Sequence, residues 1–187
     1  RTAVKLSKIC NDLRLLSSGP RTGINEINLP ARQPGSSIMP GKVNPVIPEA
    51  VNQVAFEIIG NDLALTIAAE GGQLQLNVME PLIAYKIFDS IRLLQRAMDM
   101  LREHCVVGIT ANEAHCRALM ENSIGLITAL NPYIGYENAT RIAKLALDSG
   151  RGVLELVREE NLLDDATLAD ILRPENMIAP RLVPLKA

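Results

Sequence analysis

Residues 46–70, VIPEAVNQVAFEIIGNDLALTIAAE, constrain the fold more than any other stretch. Val51, Val54, Ala55, Ile58 and Ile59 follow the i, i+3, i+4, i+7, i+8 spacing of a helix buried along one face. Leu63, Leu65 and Ile67 continue around the other side, so this helix is expected to be central in a bundle. Pro45 precedes it, and Gly71-Gly72 ends it. After the connection GGQLQLNVMEP a second long helix is expected. Its stripe is Ile87, Ile91, Leu94, Met98 and Leu101, while Lys86, Asp89, Arg92 and Arg96 lie mostly off it. Two long helices on a short link pack antiparallel, as in helical bundles.

The opening stretch RTAVKLSKICNDLRLLSSGP also reads as helix, with Val4, Ile9, Leu13 and Leu16 at roughly helical spacing and a stop at Gly19-Pro20. It begins without methionine, and the expectation is a piece of a longer protein. Residues 19–45 form a Gly/Pro-rich connection, longer than the ~12–15 residues at which structureless loops become uncommon and usually functional. Beyond CVVGITAN the pattern changes to short helices, expected at about 112–120, 123–130, 137–149, 152–160 and 165–172. Asn131-Pro132, Gly150 and a cap at Asp164 or Asp165 punctuate them. The fold class is therefore all-α, with a domain boundary near residues 106–111.

Composition narrows the function. Of 187 residues, 48% are apolar and 21% charged, and the net charge of −2 lacks the basic excess of a nucleic-acid footprint. Cys10, Cys105 and Cys116 are odd in number and have no CxxC spacing, which argues against a disulfide framework or zinc site and for reduced thiols in a cytoplasm. No apolar run reaches the ~20 residues that span a bilayer. The longest, 51–69, is broken by Glu57, Asn61 and Asp62. No signal peptide is legible, so neither a membrane nor a nucleic-acid partner is expected.

The polar loop PGSSIMPGKVNPVIPEAV, residues 34–51, interrupts this helical chain. A phosphate-binding P-loop fails on spacing: counted from Gly35, the second glycine falls on Pro40, and Val43 follows Lys42 where Ser or Thr belongs. A Ser-His-Asp hydrolase is equally poor. The histidines, His104 and His115, sit near the domain boundary, and no GxSxG elbow accompanies the serines. What remains is a loop in which Gly35 and Gly41 allow positive φ, Pro40 stiffens the middle and backbone amides approach a ligand. The following helix adds its positive end, worth about 0.3–1 kcal/mol when exposed, and Lys42 adds a full charge. This chemistry fits a small carboxylate; the bland alternative is a polar linker with Ser36 and Ser37 as turn formers.

GSSIMPGKVNP resembles the GSSxMPxKxN signature of the aspartase/fumarase superfamily at Gly35, Ser36, Ser37, Met39, Pro40, Lys42 and Asn44. The likeness continues through TGINEINLP, EAVNQVAFEIIGND, CVVGITAN, LNPYIGY and NMIAP, and so covers essentially the whole chain. Members are longer, so the resemblance implies residues 1–108 as the C-terminal part of a central helical-bundle domain carrying the loop 35–44. Residues 109–187 become the small C-terminal helical domain. It implies a homotetramer whose central domains share one helical core and whose sites take pieces from several subunits. The implied reaction is reversible anti-elimination giving fumarate, with no cofactor and, since no His/Asp/Glu cluster here has ligand spacing, no metal. Carried over by position, Ser36 is the base acting as an alkoxide, Ser37 helps bind substrate, Lys42 and Asn44 hold its carboxylate and polar groups, and Glu49 orients a histidine from outside this chain. GQLQLNVMEP and VIPEAVNQV resemble the branch that eliminates ammonia from L-aspartate, whereas CVVGITAN and TALNPYIGY are shared with fumarase-type hydratases. A non-catalytic helical oligomerisation fragment is the remaining alternative, and the isolated chain is expected to be inactive.

Overall fold

The computed structural model describes residues 1–33, 38, 39 and 41–178. The chain divides into two compact units, Arg1–Asn112 and a second beginning at Glu113.

The first unit is a layer of three helices: α1 (Thr2–Leu16), α2 (Val46–Glu70) and α3 (Glu80–His104). α2 packs on both neighbours. Its bounds follow the local chemistry. Pro45 occupies the position before the helix, where its missing N–H costs nothing, and Gly71 closes it by donating to the carbonyl of Ile67. α3 starts at Glu80-Pro81, with proline in the first turn, where it is tolerated. Cys10, Val51, Ala97, Leu101 and Cys105 form the buried cluster of this unit, joined by Leu6, Leu13, Leu29, Ile47 and Val54. Asn61 of α2 donates to Ser90 Oγ of α3 at 3.1 Å, and Asn52 of α2 donates to Asn11 of α1.

Two expectations need correction here. The stripe Ile87, Ile91, Leu94, Met98 and Leu101 is not the buried face of α3: Ile87, Ile91 and Met98 are exposed, and burial falls on Ala97 and Leu101. Likewise Ile59, Leu63 and Ile67 of α2 stand in solvent. Periodicity marks a face as apolar without naming what covers it. The connection 19–45 is also less structureless than its composition implies. Ser18 Oγ accepts from Ile24 N–H, and the carbonyls of Ser18 and Leu16 accept from Asn25 and Glu26, folding the chain back on the end of α1. Two short strands follow, β1 (Ile27–Asn28) and β2 (Thr110–Ala111), paired antiparallel with Ile27 opposite Ala111 and Asn28 opposite Thr110.

The second unit holds six short helices among the described residues: α4 (Glu113–Glu121), α5 (Leu126–Ile134), α6 (Tyr136–Ser149), α7 (Val153–Glu159), α8 (Asp165–Ile171) and α9 (Pro174–Ile178). Leu130, Ile142, Leu156 and Leu168, from four of these helices, are almost fully buried in one core. Each contributes roughly 1.5–3 kcal/mol relative to exposure. Gly150 ends α6 in the left-handed conformation, and Asp164 caps α8.

Candidate functional site

Ser36 and Ser37 lie outside the described residues; Lys42, Asn44 and Glu49 lie within them. Gly41 takes φ +80°, a conformation that glycine adopts without strain, and the Lys42 N–H donates to the Met39 carbonyl at 3.1 Å, closing a turn. The Lys42 side chain is exposed. Asn44 is half-buried, and its carbonyl accepts from Val46 N–H at 2.9 Å at the start of α2. Glu49, also half-buried, stands in the first turn of α2, where the helix dipole favours a carboxylate. Lys42 and Asn44 are thus set immediately before α2, and Glu49 is carried by its first turn. Val51, two residues past Glu49, sits in the core and fixes that end of the loop.

The other end of the loop is held as firmly. Leu29 packs against the Cys10, Val51 and Leu101 cluster. Pro30 lies so close to Gly108 that a β-carbon there would stand 2.5 Å from the proline Cγ. Arg32 Nε donates to the carbonyl of His104 at 3.0 Å, satisfying a last-turn carbonyl of α3 that has no partner within the helix. Elsewhere in this unit a cavity of about 370 Å³ opens among Val4, Ile58, Ile59, Asp62, Ile87 and Ile91. Of the predicted site residues that lie within the described set, Lys42, Asn44 and Glu49 do not line it. Among the described residues no group of three or more His, Cys, Asp and Glu side chains is arranged to hold a metal ion, and no helix is long and apolar enough to cross a membrane.

A family model described as "Lyase" matches residues 1–60, and one described as "Fumarase C C-terminus" matches residues 126–179. The aspartate ammonia-lyase of Pseudomonas canavaninivorans is 92% identical over all 187 residues, and that of Escherichia coli K12 is 57% identical over 96% of the chain. The chain belongs to the aspartase/fumarase superfamily. It spans about 40% of the length of these curated relatives. Among solved structures, a fumarate lyase:delta crystallin from Brucella melitensis bound to cobalt aligns with a TM-score of 0.88 at 63% identity. That alignment covers 95% of this chain and 38% of that one. A class II fumarase from Schistosoma mansoni aligns with a TM-score of 0.86 at 38% identity, covering 97% of this chain and 38% of its own. The all-α fold expected from the superfamily is the fold observed.

The superfamily signature is legible in the sequence, but the residues that hold the stem of its loop are not. Arg32, Gly108, Asn25 and Asn112 carry no chemistry-bearing motif, and their partners lie more than seventy residues away in sequence. The likeness of TGINEINLP and CVVGITAN to other superfamily members marks both stretches without saying that they touch.

Proposed function

We propose that the protein containing this chain is an ammonia-lyase that eliminates ammonia from L-aspartate to give fumarate. One observation carries this reading: identity of 89–92% over the whole chain to aspartate ammonia-lyases, against 38% to a class II fumarase of similar fold. In this reading Ser36 Oγ, as alkoxide, takes a proton from the carbon beside the distal carboxylate. The resulting carbanion is held as a doubly charged aci-carboxylate, and its electron pair then forms the double bond as the C–N bond breaks. The base and the charge it creates need donors fixed in advance, each worth about 3–4 kcal/mol of barrier. Ser37, Lys42 and Asn44 supply such donors from this chain, and Glu49 orients a histidine supplied from outside it. Support comes from placement: Lys42 and Asn44 stand immediately before the positive end of α2, and Glu49 rides on its first turn.

The same reading takes residues 1–108 as part of a central bundle domain and 109–187 as a small helical domain of a cytoplasmic homotetramer. The exposed apolar residues Leu63, Ile67, Phe88 and Ile91 on α2 and α3 support such an assembly, since a monomer leaves them in water. The test compares the full-length protein with L-aspartate and with L-malate, following fumarate by its ultraviolet absorbance. Turnover of L-aspartate alone is expected, and turnover of L-malate alone overturns the reading in favour of a hydratase. The 187-residue chain by itself is expected to form no fumarate.

A further inference from the structure

Two stretches that the proposed chemistry leaves unused, TGINEIN at residues 22–28 and GITAN at 108–112, meet in the structure. β1 and β2 are two residues each, and so short a ribbon is at best marginally stable by itself. Side-chain amides complete it. Asn112 Nδ2 donates to the Asn25 carbonyl at 2.8 Å, to Asn25 Oδ1 at 3.1 Å and to Asn28 Oδ1 at 3.2 Å. Its own Oδ1 accepts from Asn28 Nδ2 at 2.6 Å, so the two carboxamides face each other head to tail. The backbone N–H of Asn112 donates to the Glu26 carbonyl at 2.9 Å, and Asn28 Nδ2 reaches Thr110 Oγ1 at 3.2 Å. Asn25 is held at φ +51°, a conformation that asparagine tolerates better than most residues. One carboxamide therefore grips the chain just before β1 and at its last residue.

That grip lies on the path to the loop. After Asn28 come Leu29 in the core, Pro30 against Gly108 and Arg32 on the end of α3, and Ser36 follows Arg32 by four residues. A base must stand within hydrogen-bond reach of the proton it takes, and a displacement of about 1 Å can cost about 10²-fold in rate. We propose that Asn112 is a positioning residue for the elimination, its carboxamide fixing the stem from which Ser36 is presented. The proposal rests on the ammonia-lyase reading. Lys42 and Asn44 stand on the far side of the loop beside α2, whose anchoring does not involve Asn112. Ser37, next to Ser36 in sequence, is in this reading a donor to the charge formed in the transition state, so loss of the carboxamide falls mainly on kcat and changes KM little.

The experiment uses the full-length protein, with L-aspartate as substrate, in the variants Asn112→Ala, Asn112→Asp and Ser36→Ala. Asn112→Asp keeps the acceptor for Asn28 and loses the donor to Asn25. Asn112→Ala is expected to lower kcat by at least about tenfold with KM within about threefold of the parent, and Asn112→Asp to fall between the two. Should Asn112→Ala not accumulate as folded protein, the Asn112→Asp split carries the result. A kcat within about twofold of the parent in the folded Asn112 variants, or a loss confined to thermal stability, overturns the positioning role. Ser36→Ala separates the two levels. If it is inactive while Asn112→Ala keeps parental kcat, only the positioning proposal fails; if it keeps turnover, the serine-base reading fails and takes the proposal with it.

Discussion

Pro30 and Gly108 approach so closely that a β-carbon on the glycine would stand 2.5 Å from the proline Cγ, a contact that real side chains do not make. Gly60, inside α2, has nothing within 4 Å of the same hypothetical atom. The two alanine substitutions should therefore have opposite signs. Gly108→Ala forces the stem off the end of α3 and is expected to destabilise the first unit by about 1–3 kcal/mol, as overpacking does. Gly60→Ala in the 187-residue chain should stabilise by about 0.5–1 kcal/mol, because alanine loses less backbone entropy in a helix. Urea midpoints of the two variants decide this, and equal shifts would remove the steric argument.

Burial dominates the thiol chemistry. Cys10 is fully buried, and desolvation, then the neighbouring Cys105, push its thiol up to about 11 against a small opposing pull from Arg14. Cys105 is raised by burial as well. At neutral pH neither is expected to react with a disulfide reagent until the chain is unfolded, since the thiolate is the attacking species. Stability follows from the sign of the shift. With the folded value of Cys10 above its ordinary 9.0, the stabilisation is complete below about pH 9 and is lost as pH rises towards 11. Melting curves across that window should fall less steeply for Cys10→Ala than for the parent; identical slopes would contradict the assignment.

The long helices were legible because their boundaries are local: proline before α2, glycine after it, and an apolar period between. The superfamily signature was legible for the same reason, as seven residues packed into one loop. Three things were not. The β1–β2 pair joins Asn28 to Thr110, and a two-residue strand leaves no alternation to read. α9, Pro174–Ile178, is too short to show a helical period. The buried face of α3 falls on the small Ala97 and on Leu101, with the larger Ile87, Ile91 and Met98 left uncovered, because apolar spacing cannot say which surface belongs to this chain's own core. Lys42 and Asn44 belong to the signature and Glu49 to the wider resemblance, while the contacts that hold the loop's stem depend on tertiary pairing and carry no sequence signature.

Asp164 caps α8 with one carboxylate: Oδ1 accepts from Thr167 N–H at 2.9 Å, and Oδ2 accepts from the Thr167 hydroxyl at 2.6 Å. These bonds favour the ionised form and hold the carboxyl below its usual range. A depressed value means that the stabilisation is present above about pH 3.8 and is lost as pH falls through the folded value. Asp164→Ala is expected to lower the melting temperature at pH 7 and to make it less sensitive to acid, while Asp164→Asn, which keeps an acceptor, should retain most of the cap. Circular dichroism melts at pH 7 and pH 3 measure both effects. A parental acid slope in Asp164→Ala would sink the assignment.

Leu74 sits at the tip of the turn between α2 and α3, closed by paired backbone hydrogen bonds between Gln73 and Leu76. It is 99% exposed and held at φ +52°, which a leucine adopts only at a cost. Leu76 and Val78 beside it are also exposed. A strained apolar tip gains nothing from water, and in the proposed homotetramer a contact outside this chain would compensate for it. In the full-length protein Leu74→Asp is expected to shift the assembly towards smaller species, because the carboxylate would be desolvated in such a contact. Leu74→Gly relieves the φ strain but removes the contact, so it should weaken the assembly less than aspartate does while raising the stability of the dissociated chain. Light scattering coupled to gel filtration reads the mass of each variant, and an unchanged mass for Leu74→Asp at low micromolar concentration would place Leu74 outside the subunit interface.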